Sequence, residues 1–271
     1  MGTKLRIGAL ISGGGTNLQA ILDACAQGTI DGRVVFVGTD NPHANGLERA
    51  RRHEVPTFVV DYARLIGDYR TDPASVKLPP DADLDDLARR QSLLPAGADP
   101  ARIRRFLHTR VAAEAALLAA MAAHPFDLLV LAGFMRNLTP YFIDRVNTDP
   151  AKPRIMNIHP ALLPAFPGTD GYGDTFRYGA KVGGCTVHFI DYGEDSGPII
   201  GQRAFAIQAD DTEERIRQKG LDLEWQIYPE CIQLYAEDRL RVAVRTHHLP
   251  HGGVYRRAVV EILGEKTPGT R

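Results

Sequence analysis

The sequence predicts an α/β fold, a Rossmann-like sheet of mostly parallel strands with helices on both faces. Short apolar runs of strand length alternate with segments of helical period. One strand stops at a glycine cluster that opens a helix, and the order of strand, turn and helix recurs directly downstream. In order, residues 5–11 form an apolar strand ending at Gly13, Gly14 and Gly15, and residues 17–26 follow as a helix through Leu18, Ile21 and Leu22. Residues 34–38 are a second strand, Asp40, Asn41 and Pro42 a turn, residues 47–53 a helix and residues 57–60 a third strand. Further strand-like runs cover 128–132, 154–158, 185–190 and 199–207, and residues 212–235 read as a long final helix.

Between about residues 64 and 99 the pattern fails. Pro73, Pro79, Pro80 and Pro95 interrupt it, and Asp81, Asp83, Asp85 and Asp86 crowd together. This segment is expected to be an insertion, a solvated loop with one short helix, with a lid or dimer contact as the alternative. Asp99 then caps a helix with Pro100 in its first turn, continued by the alanine-rich residues 101–124. The expected organisation is a catalytic domain over residues 1–245 that carries the insertion at 64–99. Residues 246–271 would be a C-terminal extension, read as a solvated tail.

The bulk numbers exclude several classes. A chain of 271 residues can bury a substantial core. Its formal net charge of -1 at pH 7, with Lys and Arg dispersed, leaves no footprint for nucleic acid or an anionic membrane, so a small neutral or anionic metabolite is the expected partner. Cys25, Cys185 and Cys231 show no C-x-x-C spacing, which suggests neither a disulfide framework nor a zinc site and points to a reducing compartment. The first residues lack an apolar signal core and no run of about 18 apolar residues occurs, so a cytoplasmic, soluble protein is expected.

The segment Ser12-Gly13-Gly14-Gly15-Thr16-Asn17 lies where a strand ends and a helix begins, and there free N–H groups and the helix dipole favour an anion such as phosphate. It lacks the Gly-Lys-Ser/Thr of a Walker loop, and Leu18 stands where a dinucleotide fingerprint needs its third glycine. Asp40, near the end of the second strand, keeps a ribose-binding role and a nicotinamide reading open.

Asn157 and His159 sit two apart on a strand and project to the same side, followed by the rigid exit of Pro160 and Pro164. An amide donor and an imidazole beside a carbonyl suit acyl transfer, where an oxyanion must be stabilised as it develops. Asp195 lies in a loop that follows the run 187–190. If its carboxylate meets His159 it favours the imidazolium and supplies a proton donor near neutral pH; the alternative is a loop-capping aspartate.

Together these segments resemble the glycinamide ribonucleotide formyltransferase family, folate-dependent enzymes of purine synthesis. The resemblance spans most of the chain and rests on collinear stretches at 11–19, 46–50, 131–138, 157–164, 185–189, 195–198 and 224–229. Among them, Asn157-Ile158-His159-Pro160 and Leu162-Leu163-Pro164 alone indicate only the wider formyl-folate superfamily.

By that resemblance the fold is the formyltransferase fold. Gly15, Thr16 and Asn17 hold the ribose phosphate of phosphoribosylglycinamide, and Glu224 accepts a hydrogen bond from its amine. Met135, Arg136, Asn137 and Leu138, with Asn157, contact 10-formyltetrahydrofolate, mostly through backbone groups, and the loop 191–195 lies on the other side of the pteridine. Asn157 and His159 stabilise the oxyanion, His159 gives the proton, and Asp195 supports it. No metal is implied, and the protein is expected as a monomer or homodimer.

Several positions depart from the family. Asp170 and Trp225 replace histidines common near the substrate, and the insertion falls where an arginine assisting folate is expected, with Arg64 and Arg70 as candidates. His247, His248 and His251 lie in the tail without a carboxylate or cysteine partner to suggest a metal. A formyltetrahydrofolate deformylase, a transferase with an amino-sugar or aminoacyl-RNA acceptor, and a non-catalytic folate-binding module remain as alternatives. A deformylase would carry a regulatory domain ahead of the first strand, which begins here at Leu5.

Overall fold

The computed structural model describes residues 3–95 and 97–264. Seven strands, β1 (Leu5–Ile11), β2 (Gly32–Thr39), β3 (Thr57–Val59), β4 (Leu128–Leu131), β5 (Ile155–His159), β6 (Val182–Phe189) and β7 (Ile199–Ala206), form one sheet in the order β3-β2-β1-β4-β5-β6-β7. The strands β1 to β5 pair in parallel, and β6 and β7 are added antiparallel. The chain runs outward from β1 to β3 and then returns to lay β4 on the other side of β1. That reversal opens a crevice at the carboxyl ends of the strands, where ligands of open α/β sheets bind.

The helices cover both faces. On one, α1 (Thr16–Gln27) and α8 (Glu213–Ala236) bury Leu18, Ile21, Ile227 and Tyr228 against the sheet, close to α2 (Gly46–Arg52). On the other, α5 (Pro100–Met121) and α6 (Pro140–Val146) bury Leu117, Met121 and Phe142. A short helix, α7 (Gly171–Tyr178), packs on α8. The cap foreseen at Asp99 forms, with its side chain accepting from the Ala101 N–H.

The segment expected to be an insertion is not a solvated loop. It contains α3 (Tyr62–Thr71), a single 3-10 turn at Pro73–Ser75 and α4 (Leu84–Arg90). Leu84 and Leu87 are buried against Leu107, Val111 and Tyr141 of α5 and α6, and each such side chain contributes roughly 1.5–3 kcal/mol. The acidic cluster has structural partners. Asp83 caps α4 through the Asp85 and Asp86 N–H groups, Asp81 pairs with Arg145, and Asp85 pairs with Arg104 at 3.0 Å. Local charge density reads as solvated surface until the distant arginines are known.

The C-terminal extension also differs from a solvated tail. Residues 240–262 form a hairpin of β8 (Leu240–His248) and β9 (Val254–Ile262), so a boundary at 245 cuts a strand in two. Residues 265–271 of the expected extension lie outside the described residues. The hairpin docks through Val242 N–H on the Ala151 carbonyl (2.8 Å) and Arg257 Nη2 on the Ser196 carbonyl (2.6 Å). His247 and His248 are exposed on β8, and the His247 ring lies 6.3 Å from that of Tyr255. Among the described residues no helix is long and apolar enough to cross a membrane.

Candidate active site

The glycine loop and the loop after β4 flank the crevice and are stitched together by Ser12, whose N–H donates to the Gly133 carbonyl at 3.0 Å. Gly15 has φ 70°, and a Cβ there would lie 2.8 Å from the Gly46 Cα, so only glycine closes this contact. With Gly15 as its N-cap, α1 presents its first-turn N–H groups beside exposed Thr16, the geometry of an anion site. Arg49 donates through Nε to the Gly14 carbonyl at 2.8 Å and places a cation next to the loop.

Asn17 faces inward. Its Nδ2 donates to Glu224 Oε2 at 2.6 Å, Tyr172 donates its hydroxyl to Oε1 at 2.6 Å, and burial pushes the Glu224 carboxyl upward against both hydrogen bonds. The Asn17 Oδ1 is buried with no protein partner among the described residues. The side chain of Asn17 therefore belongs with Glu224 rather than with the phosphate loop where the sequence placed it.

On the far side of the glycine loop, Ser12 donates through Oγ to Asp40 Oδ1 and Arg136 donates through Nε to Asp40 Oδ2, each at 2.5 Å. Ser12 Oγ also accepts the Met135 N–H at 2.8 Å. Asp40 is buried and fully engaged, which removes it as a ribose acid and with it the nicotinamide reading. The Arg136 guanidinium is turned back onto Asp40, while the Met135 side chain, 54% exposed, lines the cavity with Leu138. Asn137 Nδ2 donates to Glu194 Oε1 at 3.0 Å, linking this stretch to the loop after β6.

Asn157, His159 and Asp195 line one cavity of about 330 Å³ together with Glu224. His159, 2 % exposed, stands with Nδ1 3.2 Å from Asp195 Oδ2 and Nε2 2.8 Å from the Phe166 carbonyl. Both ring nitrogens face oxygen acceptors, which fixes the plane of the ring. Asp195, at φ 49°, also accepts the Gly168 N–H at 2.8 Å, so one carboxylate holds both the turn after β5 and the imidazole. Asn157 Nδ2 lies 3.2 Å from Nε2 of fully buried His188, whose Nδ1 is 2.9 Å from the Phe189 carbonyl. Burial lowers the His188 pKa despite Asp195 nearby, favouring a neutral ring that donates at Nδ1, accepts at Nε2 and so orients the Asn157 amide.

Arg64 and Arg70, the arginines expected beside the folate, are exposed on α3 and do not line the cavity. Arg110 of α5 does line it, its guanidinium 5.3 Å from the Tyr62 ring centre and 5.2 Å from that of Phe106, with Nη1 buried and without a hydrogen bond of normal geometry among the described residues. Asp170 stands at the N-terminus of α7 without a side-chain cap and pairs with Arg177 at 2.7 Å and Arg217 at 3.0 Å; Arg177 first, then Arg217, holds its carboxyl below the usual range. Trp225 lies outside this cavity, in a second depression between α1 and α8 with Thr16 and Arg49. Arg110, Tyr172, His188 and Arg49 escaped the sequence reading. Only Arg49 and His188 lay in stretches carrying the resemblance; Arg110 and Tyr172 sit in helices whose periodicity says nothing about the cavity.

An imidazole held by a carboxylate with an oriented amide beside it suits an acyl-transfer enzyme, and the α1 terminus beside the adjoining depression suits an anion. A family model described as "Formyl transferase" matches residues 5–232. A phosphoribosylglycinamide formyltransferase from Mycobacterium tuberculosis is 35% identical over 241 residues, covering 89% of this chain and 89% of that relative. A solved glycinamide ribonucleotide transformylase 1 from Symbiobacterium toebii superposes with TM-score 0.70 at 38% identity, covering 97% of this chain and 96% of that one. The chain belongs to the formyl transferase family, and within it to the phosphoribosylglycinamide formyltransferases. A formyltetrahydrofolate deformylase from Burkholderia mallei, at 19% identity and TM-score 0.65, shares the fold alone.

Proposed function

We propose that this chain moves the formyl group of 10-formyltetrahydrofolate to the amine of 5-phosphoribosylglycinamide in purine biosynthesis, in the cytoplasm and without a metal. The observation that carries this reading is one cavity that brings Glu224, held by Asn17 of the helix that opens at Gly15, together with His159 and Asp195. Phosphate on the α1 terminus, assisted by Arg49, fixes one end of the ribonucleotide. Glu224, held by Asn17 and Tyr172, accepts from the glycinamide amine.

The folate supplies the formyl carbon. Its ring system suits the apolar wall of Leu131, Leu138 and Ile190 beside the backbone of 135–138, and its anionic tail suits the positive charge of Arg110 on the same cavity. When the amine nitrogen bonds to the formyl carbon, charge grows on the formyl oxygen, where the Asn157 amide and His159, its Nε2 exchanging the Phe166 carbonyl for that oxygen, provide donors. The carbon–N10 bond then breaks, N10 gains a proton and the new amide nitrogen loses one; His159 with Asp195 carries that exchange.

Incubating the protein with 10-formyltetrahydrofolate, with and without phosphoribosylglycinamide, tests the reading. Tetrahydrofolate release only with the ribonucleotide is the expected result. Release without it identifies a deformylase, and binding without release a folate-binding module.

A further inference from the structure

The stretch 90–93, inside the insertion, reaches the cavity wall. Ser92 pairs in parallel with Gly193, and its N–H donates to the Tyr192 carbonyl at 3.0 Å. Arg90 donates through Nη2 to Asp144 Oδ2 at 2.5 Å and to the Tyr192 hydroxyl at 2.8 Å, and its guanidinium lies 5.1 Å from the Tyr192 ring centre. Tyr192 donates in turn to Asp144 Oδ1 at 2.5 Å. A single surface ion pair contributes little. Here a guanidinium, a phenol and a carboxylate close a triangle joining α4, α6 and the loop that ends at Asp195.

The strap is anchored. Leu84 and Leu87 sink α4 into the α5 and α6 core, and the Gln91 Oε1 accepts the N–H groups of Leu93 and Leu94 at 2.8 Å each, fixing the turn. Leu93 is packed into none of the described core clusters and lines the cavity instead, beside Gly193, Glu194 and Asp195. An apolar side chain among these polar groups offers a face to a flat ring.

Resting on the formyl-folate reading above, we infer that this strap is part of the folate subsite. Arg90 and Ser92 are positioning residues for the loop 191–195, and Leu93 is a wall that sets how well the folate ring system fits. The ribonucleotide end of the crevice lies outside its reach.

The test is calorimetric binding of tetrahydrofolate to the wild type, Leu93→Ala, Arg90→Met and Arg90→Lys, with KM measured separately for 10-formyltetrahydrofolate and phosphoribosylglycinamide. Leu93→Ala should weaken tetrahydrofolate about tenfold, the scale of lost apolar contact in a pocket, with the ribonucleotide KM and the melting temperature unchanged. Arg90→Met should raise the folate KM and lower kcat together, and Arg90→Lys should recover part of the loss. Wild-type affinity in both Leu93→Ala and Arg90→Met overturns the inference, as does an equal rise in both KM values. A wild type that binds no tetrahydrofolate overturns the folate reading itself and the inference with it.

Discussion

The two walls of the crevice are built by opposite means. The wall beside β1 is made of backbone, with Gly15 pressed against Gly46, helix N–H groups and the Ser12 N–H on the Gly133 carbonyl. The wall at Asp195 is made of side chains sent from distant segments, with Arg90 from the insertion, Asn137 from the loop after β4 and Arg257 from the hairpin. A backbone wall tolerates little change of shape at any one residue. A braced wall distributes its support, so a single lost brace shifts the loop without destroying the site. His159 stands at the seam, carried by a strand of the sheet and held by the braced loop.

That contrast orders the expected effects. Removing the residue at the seam costs most: His159→Ala should lower kcat about a hundredfold or more, the scale of losing a general acid and an oxyanion donor together. Steady-state kinetics with both substrates saturating reads this, and near-normal turnover would refute the assignment. On the braced wall, Asp195→Asn keeps an acceptor for the Gly168 N–H but removes the charge facing His159, and should lower kcat roughly tenfold to a hundredfold. On the backbone wall, Gly15→Ala forces a left-handed φ on alanine and a contact with the Gly46 backbone. Its ribonucleotide KM should rise about tenfold with the folate KM unchanged, and equal rises in both would break the distinction between the walls.

The smallest effect lies behind both walls and reports on stability. Burial pushes the Glu114 carboxyl up to about 7, over the opposing hydrogen bonds from the Thr139 N–H and hydroxyl. The folded protein therefore keeps a proton that the unfolded chain releases, and stability falls as pH rises from roughly 4.5 through about 7. Melting curves of Glu114→Gln should show a gain over the wild type that grows across that window. Parallel curves would mean that Glu114 stays protonated or is hydrated.

The backbone wall was legible in the sequence because its chemistry is local. Three consecutive glycines, a strand before them and a helix after them specify a loop whatever surrounds it. Asn157 and His159 were legible for the same reason, two residues apart on one strand. The braced wall was not, since Arg90 and Tyr192 are 102 positions apart and neither segment alone carries a signal of the contact. Asp195 entered only through its resemblance to a family, and the hairpin was read as a tail because alternation in β8 is weak when most of its residues are exposed. Arg110 was missed for the same reason: it reaches the cavity only through the packing of α5, which no local pattern in the sequence announces.

The contact of Arg257 with the carbonyls of Ser196 and Gly197 gives the hairpin an evolutionary reading. A lineage that discards those last strands must supply another cation for the two carbonyls or accept a slacker turn next to Asp195. Inheritance of the hairpin is thereby tied to the wording of a loop some sixty positions upstream, and sequence drift in one should be answered in the other.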